Sequence, residues 1–219
     1  QRLGNFQLAG GGLSYWQGNS HPDDWGTSYA GHFMMEAEKK GYVLPIGFKQ
    51  KWISHQQRMA KQWRFDARYH NDFAQAYRLY TLALAGSSDL GSMNRLRETV
   101  GISNESKFRL AAAYALIGQK KTALNLINGL TVENNNYYYY YGSEERNRAM
   151  LLETYLLVGD KAKAFDIATK LGKNLSSSNW MSTQTTAYSL YAMSKFAMAN
   201  GGKGISVSLT QKGKTQPLT

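Results

Sequence analysis

The segment Tyr114 to Leu130, YALIGQKKTALNLINGL, recurs 41 residues later as Tyr155 to Leu171, YLLVGDKAKAFDIATKL. The apolar positions keep one spacing in both copies. Ala123, Leu126, Ile127 and Leu130 match Ala164, Ile167, Ala168 and Leu171, each at i, i+3, i+4, i+7. That is one stripe of an α-helix. Each copy places a glycine, Gly118 or Gly159, between two helical stretches, which makes it an αα-hairpin. A hairpin this short cannot bury its stripe alone, so copies have to stack on neighbours. The offset argues against a tetratricopeptide scaffold, which repeats at about 34 residues.

The rest of the chain carries the same punctuation. Trp25, Tyr29, Phe33 and Ala37 form an i+4 series after Asp23-Asp24, either of which can cap a helix, and Gly41 ends it. Pro45 suits a first helical turn. Phe48, Trp52, Ile53 and Met59 give the next face, to about residue 62. Phe73, Ala76, Tyr77, Tyr80 and Leu84 give a third, ending near Gly86, and Leu90 to Leu96 a weaker fourth. A last helix begins after Trp180, capped by Ser182 or Thr183, with Ala187, Tyr191, Ser194 and Met198 on its face. Ile205, Val207 and Leu209 then alternate with polar residues, which predicts a strand. We expect an all-α fold over 1–202 and a short strand in 203–219, either an edge strand or the start of a following β-domain.

Composition excludes several classes. With 42% hydrophobic and 13% aromatic residues the chain is not disordered throughout. It has no cysteine, which removes disulfides, thiolate metal sites and a cysteine nucleophile from these residues. No apolar run is long enough to span a bilayer. The chain opens at Gln1 without a methionine or a signal peptide, and reads as a processed chain or a fragment. Its net charge is +11, but the positive residues are scattered. The densest groups are Glu38-Lys39-Lys40, Lys49-Gln50-Lys51 and Lys120-Lys121, which read as solvated helix faces. No phosphate loop or nucleic-acid motif accompanies them, so neither a nucleotide cofactor nor a nucleic-acid partner is expected.

Chemistry-bearing residues are few. Asp23-Asp24 lies near Trp16 and could supply a general acid, though capping explains the pair as well. His21, His32, His55 and His70 show no metal-ligand spacing. The run Tyr137 to Tyr141 is either a ring-stacking surface or a half-buried entry to a hairpin.

Three stretches resemble the thioester domain of bacterial α2-macroglobulins. The first is GGLSYW at 11–16 followed by DDWGTSYAGHFMMEAEKKGYVLP at 23–45, with Gly11, Gly12, Trp16, Asp24, Trp25, Thr27, Tyr29, Ala37, Gly41, Tyr42 and Pro45 at the motif positions. The second is Tyr141-Gly142-Ser143 with Arg146-Asn147-Arg148-Ala149, where Asn147 stands in place of the usual Asp. The third is Trp180-Met181-Ser182-Thr183-Gln184, running on to Ala187. The resemblance covers residues from about 8 to 200.

It implies an α/α-toroid, here as an incomplete ring, within a large cell-envelope or periplasmic protease trap. Such a trap is a non-catalytic inhibitor. A protease cuts a bait segment, the molecule rearranges, and a Cys–Gln thioester acylates the captured protease. The partners implied are proteases and neighbouring β-domains of the same chain. This chain has no cysteine to form that bond, and the family's thioester motif lies upstream of the Gly-Gly-aromatic stretch. The resemblance makes His21 a candidate for assisting acyl transfer. It makes Trp16, Trp25, Arg146, Trp180 and Gln184 mainly structural, with Trp16 and Trp25 packing the toroid. The competing reading is an α/α-toroid enzyme acting on glycans or isoprenoids through Asp23 or Asp24.

Overall fold

The computed structural model describes residues 2–131, 143–200, 207–211 and 214–218. The Tyr137 to Tyr141 run lies outside these residues. The described chain opens with a 3-10 turn, Arg2–Phe6. Nine helices follow among the described residues: α1 (Asp24–Lys39), α2 (Phe48–Gln62), α3 (Asp72–Leu84), α4 (Leu90–Glu98), α5 (Asn104–Leu116), α6 (Lys120–Ile127), α7 (Glu144–Val158), α8 (Lys161–Leu175) and α9 (Thr183–Ala199).

Starts and stops are written locally. Asp23, Asp89, Ser103, Ser143, Asp160 and Ser182 each precede a helix and accept a hydrogen bond from a first-turn amide, satisfying a donor the helix cannot. Gly118 and Gly159 take left-handed φ values of 82° and 84° between α5 and α6 and between α7 and α8. The duplicated segment is thus two αα-hairpins.

The odd-numbered helices form an inner layer, with α1 on α3, α3 on α5, α5 on α7 and α7 on α9. Each even-numbered helix packs outside, against the inner helices on either side of it. Inner helices α3, α5 and α7 are buried nearly all round, whereas outer α6 and α8 bury only a stripe. The layer curves until α9 faces α1 again, where His32 meets Tyr191 and Lys195 meets Glu36 at 3.8 Å. This is an all-α toroid whose α1–α9 seam is bridged by side chains. A main core runs through α3, α5 and α7, and a smaller one holds Leu13, Met34, Met35, Phe48 and Trp52.

Three expectations need correction. Phe33 in the Trp25 series is 61% exposed; the buried side of α1 is Trp25, Ser28, Gly31, His32 and Met35. Steps of i+4 advance about 40° around a helix each time, so the series rotates off the core. On α9 the buried residues are Thr185, Tyr188, Ser189 and Ala192, one position from the expected face, and Met198 is 70% exposed. Pro45 lies before α2, which begins at Phe48 behind Gly47. Near the C-terminus Val207–Gln211 and Lys214–Leu218 pair antiparallel, so the described part of the expected strand has a partner, while Ile205 lies outside the described residues.

Candidate functional site

The three resembling stretches, far apart in the chain, meet at one corner. Gly11 turns at φ +90°, and a Cβ there would collide with the Lys51 carbonyl. A Cβ on Gly12 would lie 2.7 Å from His55 and from Pro22. The glycines let the N-terminal loop press onto α2. The loop then reaches α1: buried Thr27 accepts from the Leu13 amide at 2.9 Å and donates to its carbonyl at 3.2 Å. Trp25 packs on Phe73 and Tyr77, with centroids 5.5 and 4.8 Å away. Arg146 from α7 covers Trp25 at 5.0 Å and Phe73 at 5.1 Å, and donates to Gln184 of α9 at 3.1 Å. Ser143 and Thr185 join the starts of α7 and α9 at 2.8 Å. Burial pulls the Arg146 pKa down to about 10, against a lift from the nearby Tyr188 and Tyr77 hydroxyls.

A second cluster lies in the ring's interior. Glu153 of α7, 1% exposed at its side chain, accepts from Arg109 at 2.8 Å, Tyr80 at 2.6 Å, Lys195 at 2.7 Å and Tyr191 at 3.2 Å. Arg109 is fully buried and stacks over Tyr80 at 4.1 Å. Burial alone would raise the Glu153 pKa, but Arg109 and Lys195 outweigh it and hold the carboxylate ionised. His32 bonds Tyr77 through Nδ1 at 2.9 Å and Tyr191 through Nε2 at 3.1 Å. Burial lowers its pKa to about 4, with Glu153 pulling up and Arg109 pulling down, so the imidazole is neutral at pH 7. Every ionisable group here is held by partners. The arrangement ties α1, α3, α5, α7 and α9 together through their side chains.

Beside this cluster a cavity of about 540 Å³ opens along the α1–α9 seam. Its walls include Phe6, Tyr29, Phe33, Ala187 and Tyr191, with His32 and Glu36 as polar members. Residues expected to form packed faces of α1 and α9 therefore line this groove.

The sequence-predicted residues fall into three groups. Trp25, Arg146 and Gln184 meet at the corner, Gly11 and Gly12 press the N-terminal loop onto α2, Thr27 ties that loop to α1, and half-buried Tyr29 lines the groove. Asp23 caps α1, accepting from the Gly26 amide. Asp24 forms an ion pair with Arg78 at 2.7 Å, off the hydrogen-bonding angle. Neither carboxylate lines the groove. His21, Trp16, Trp180 and Thr183 lie at the surface. His21 contacts the Ser20 hydroxyl at 3.0 Å, and Trp16, 67% exposed, sits edge-on to Tyr15 instead of packing the toroid. Trp180 is 88% exposed. Among the described residues no group of three or more His, Cys, Asp or Glu could hold a metal ion, and no helix is long and apolar enough to cross a membrane. The sequence did not single out Arg109, Glu153 or Lys195 as functional. Charged residues inside the apolar runs FRLAAAY and LLETY were the available signal.

No protein-family model matches the chain, and a search of curated proteins finds no match. Solved structures do match. The native conformation of Escherichia coli α2-macroglobulin superposes with a TM-score of 0.76 at 18% identity, over 99% of this chain and 14% of the other. Salmonella α2-macroglobulin reacted with methylamine gives 0.76 at 20% identity, over 99% and 15%. An E. coli α2-macroglobulin piece from domain MG7 to the C-terminus gives 0.76 at 18%, over 99% and 36%. The chain thus spans between about a seventh and a third of the length of these proteins. It has the fold of the corresponding helical part of bacterial α2-macroglobulins, in agreement with the resemblance drawn from its motifs.

Proposed function

We propose that this chain is the helical thioester-type domain of an α2-macroglobulin-like protease trap of the cell envelope, and that it acts there without catalysis of its own. The observation that carries the reading is the corner at Arg146. Motifs from the start, middle and end of the chain, each modest alone, join through Trp25, Arg146 and Gln184. A convergence of this kind is what a shared ancestral corner produces, and the whole-chain likeness to bacterial α2-macroglobulins supports it. In this reading the groove along the α1–α9 seam seats helices from an upstream part of the parent protein. Any thioester cysteine belongs to that part, because this chain has none. The C-terminal strand pair begins a following β-domain. His21, exposed in its loop, is the candidate to assist acyl transfer.

The test uses the parent protein challenged with trypsin. A trap leaves trypsin able to cleave a small chromogenic peptide while it loses access to a large protein substrate. Equal activity on both substrates would refute the reading. The enzyme alternative predicts that Asp23→Asn or Asp24→Asn abolishes a turnover on glycans or isoprenoids, whereas the trap reading predicts no such turnover to abolish.

A further inference from the structure

The connection between α1 and α2, Gly41-Tyr42-Val43-Leu44-Pro45-Ile46-Gly47, turns its apolar side chains outward. Tyr42 is 70% exposed, Val43 95% and Ile46 103%. Single exposed apolar residues are ordinary on a soluble surface, but three within five residues concentrate apolar surface in one loop. Gly41 and Gly47 turn at φ values of 87° and 72° at its two ends, and Leu44 packs inward against the smaller core. Lysines bracket it: Lys39 and Lys40 on one side, Lys49 and Lys51 on the other. Glu36 pairs with Lys39 at 2.9 Å and Glu38 with Lys49 at 2.5 Å. Lys40 and Lys51 have no ion pair among the described residues, so the rim stays positive.

We propose that this loop is a contact element for an anionic lipid surface. Val43 and Ile46 would enter the boundary between headgroups and acyl chains, and Tyr42 would rest at headgroup level. The lysine stems would lie along the apolar tip with their ammonium groups among lipid phosphates. A protein partner fits less well, because protein–protein interfaces are depleted in lysine. The inference stands apart from the trap reading and can fail or hold without it.

The 219-residue chain has no cysteine, so Ile46→Cys accepts a single environment-sensitive fluorophore. The labelled protein is mixed with phosphatidylcholine vesicles with and without about 30% phosphatidylglycerol, enough anionic lipid to attract lysines. Co-sedimentation and a blue shift are expected with the anionic vesicles only, both weakened by salt. In the unlabelled chain, Val43→Asp/Ile46→Asp should leave the melting curve unchanged and cut partitioning about tenfold or more. Lys40→Glu/Lys51→Glu should cut it about 25-fold or more, from about fivefold per lysine lost. Lys120→Glu/Lys121→Glu on α6 should change it less than about twofold, being outside the tip. The proposal is overturned by absent partitioning, by an unshifted label on bound protein, or by equal loss from the α6 pair, which would mean general charge attraction. Loop variants that abolish binding to a neighbouring protein domain, with no vesicle binding in the parent chain, would overturn it too.

Discussion

Replacing Glu153 by Gln should test how far the ring depends on its buried charges. The carboxylate receives four donors, from Arg109, Tyr80, Lys195 and Tyr191, and its side chain is 1% exposed. Gln keeps the shape but replaces one acceptor oxygen with an NH2 group, which must then face donors. Lys195 can turn toward Glu36, already 3.8 Å away, and reach solvent. Arg109 cannot, because it is fully buried. It would keep its bond to the Met150 carbonyl at 3.3 Å, its place over Tyr80 at 4.1 Å and at best a neutral hydrogen bond to the remaining amide oxygen, but no counter-charge. Leaving such a charge without its counterion costs about 3–5 kcal/mol. For a domain of this size that lowers Tm by about 6–20 °C. Urea unfolding followed by circular dichroism should show the loss. The Arg109→Met/Glu153→Leu double variant should recover much of it, because the orphaned charge is gone. A single-variant cost under about 1 kcal/mol, or a double variant as unstable as the two singles added, would refute the reasoning.

Other consequences are open to simple measurement. His32 drops from 6.5 to about 4 on folding, with burial as the main cause. Between those values the unfolded chain binds more protons, so about 3 kcal/mol of stability present above pH 6.5 should be lost as pH falls to 4. His32→Phe should flatten that part of the stability profile measured by urea unfolding. Gly31 faces the buried Trp52 indole with no room for a Cβ, so Gly31→Ala should destabilise by about 1–3 kcal/mol on thermal melting, with the Trp52 environment shifted in near-UV spectra. Arg146→Lys keeps the charge but loses the planar stack on Trp25 and the bond to Gln184, and should cost about 2 kcal/mol in urea. Trp16→Ala, at a site 67% exposed, should stay within about 0.5 kcal/mol of the parent.

How much of this was legible in the sequence depended on range. The hairpins of α5–α6 and α7–α8 were readable because caps, glycine breaks and apolar spacing act within a few residues. The resemblance located the corner residues one by one, though only the structure joins Trp25 to Arg146 and Gln184. Facing was harder at the ends of the layer. On α1 and α9 an apolar residue such as Phe33 or Tyr191 lines a groove as readily as a core, and periodicity does not separate the two. The interior cluster was the least legible. Arg109 and Glu153 are 44 residues apart, and each alone reads as an ordinary charged helix residue. Their pairing follows from the curvature of the whole layer, which no local pattern encodes.

The central claim is that the helical layer curves until its first and last inner helices share one seam. Phe33→Cys/Ala187→Cys places two thiols on opposite walls of the α1–α9 groove, in a chain with no other cysteine. A short bifunctional thiol reagent should then link the two within one chain in high yield, as read by peptide mass spectrometry. An open superhelix holds α1 and α9 far apart and would give no intrachain link.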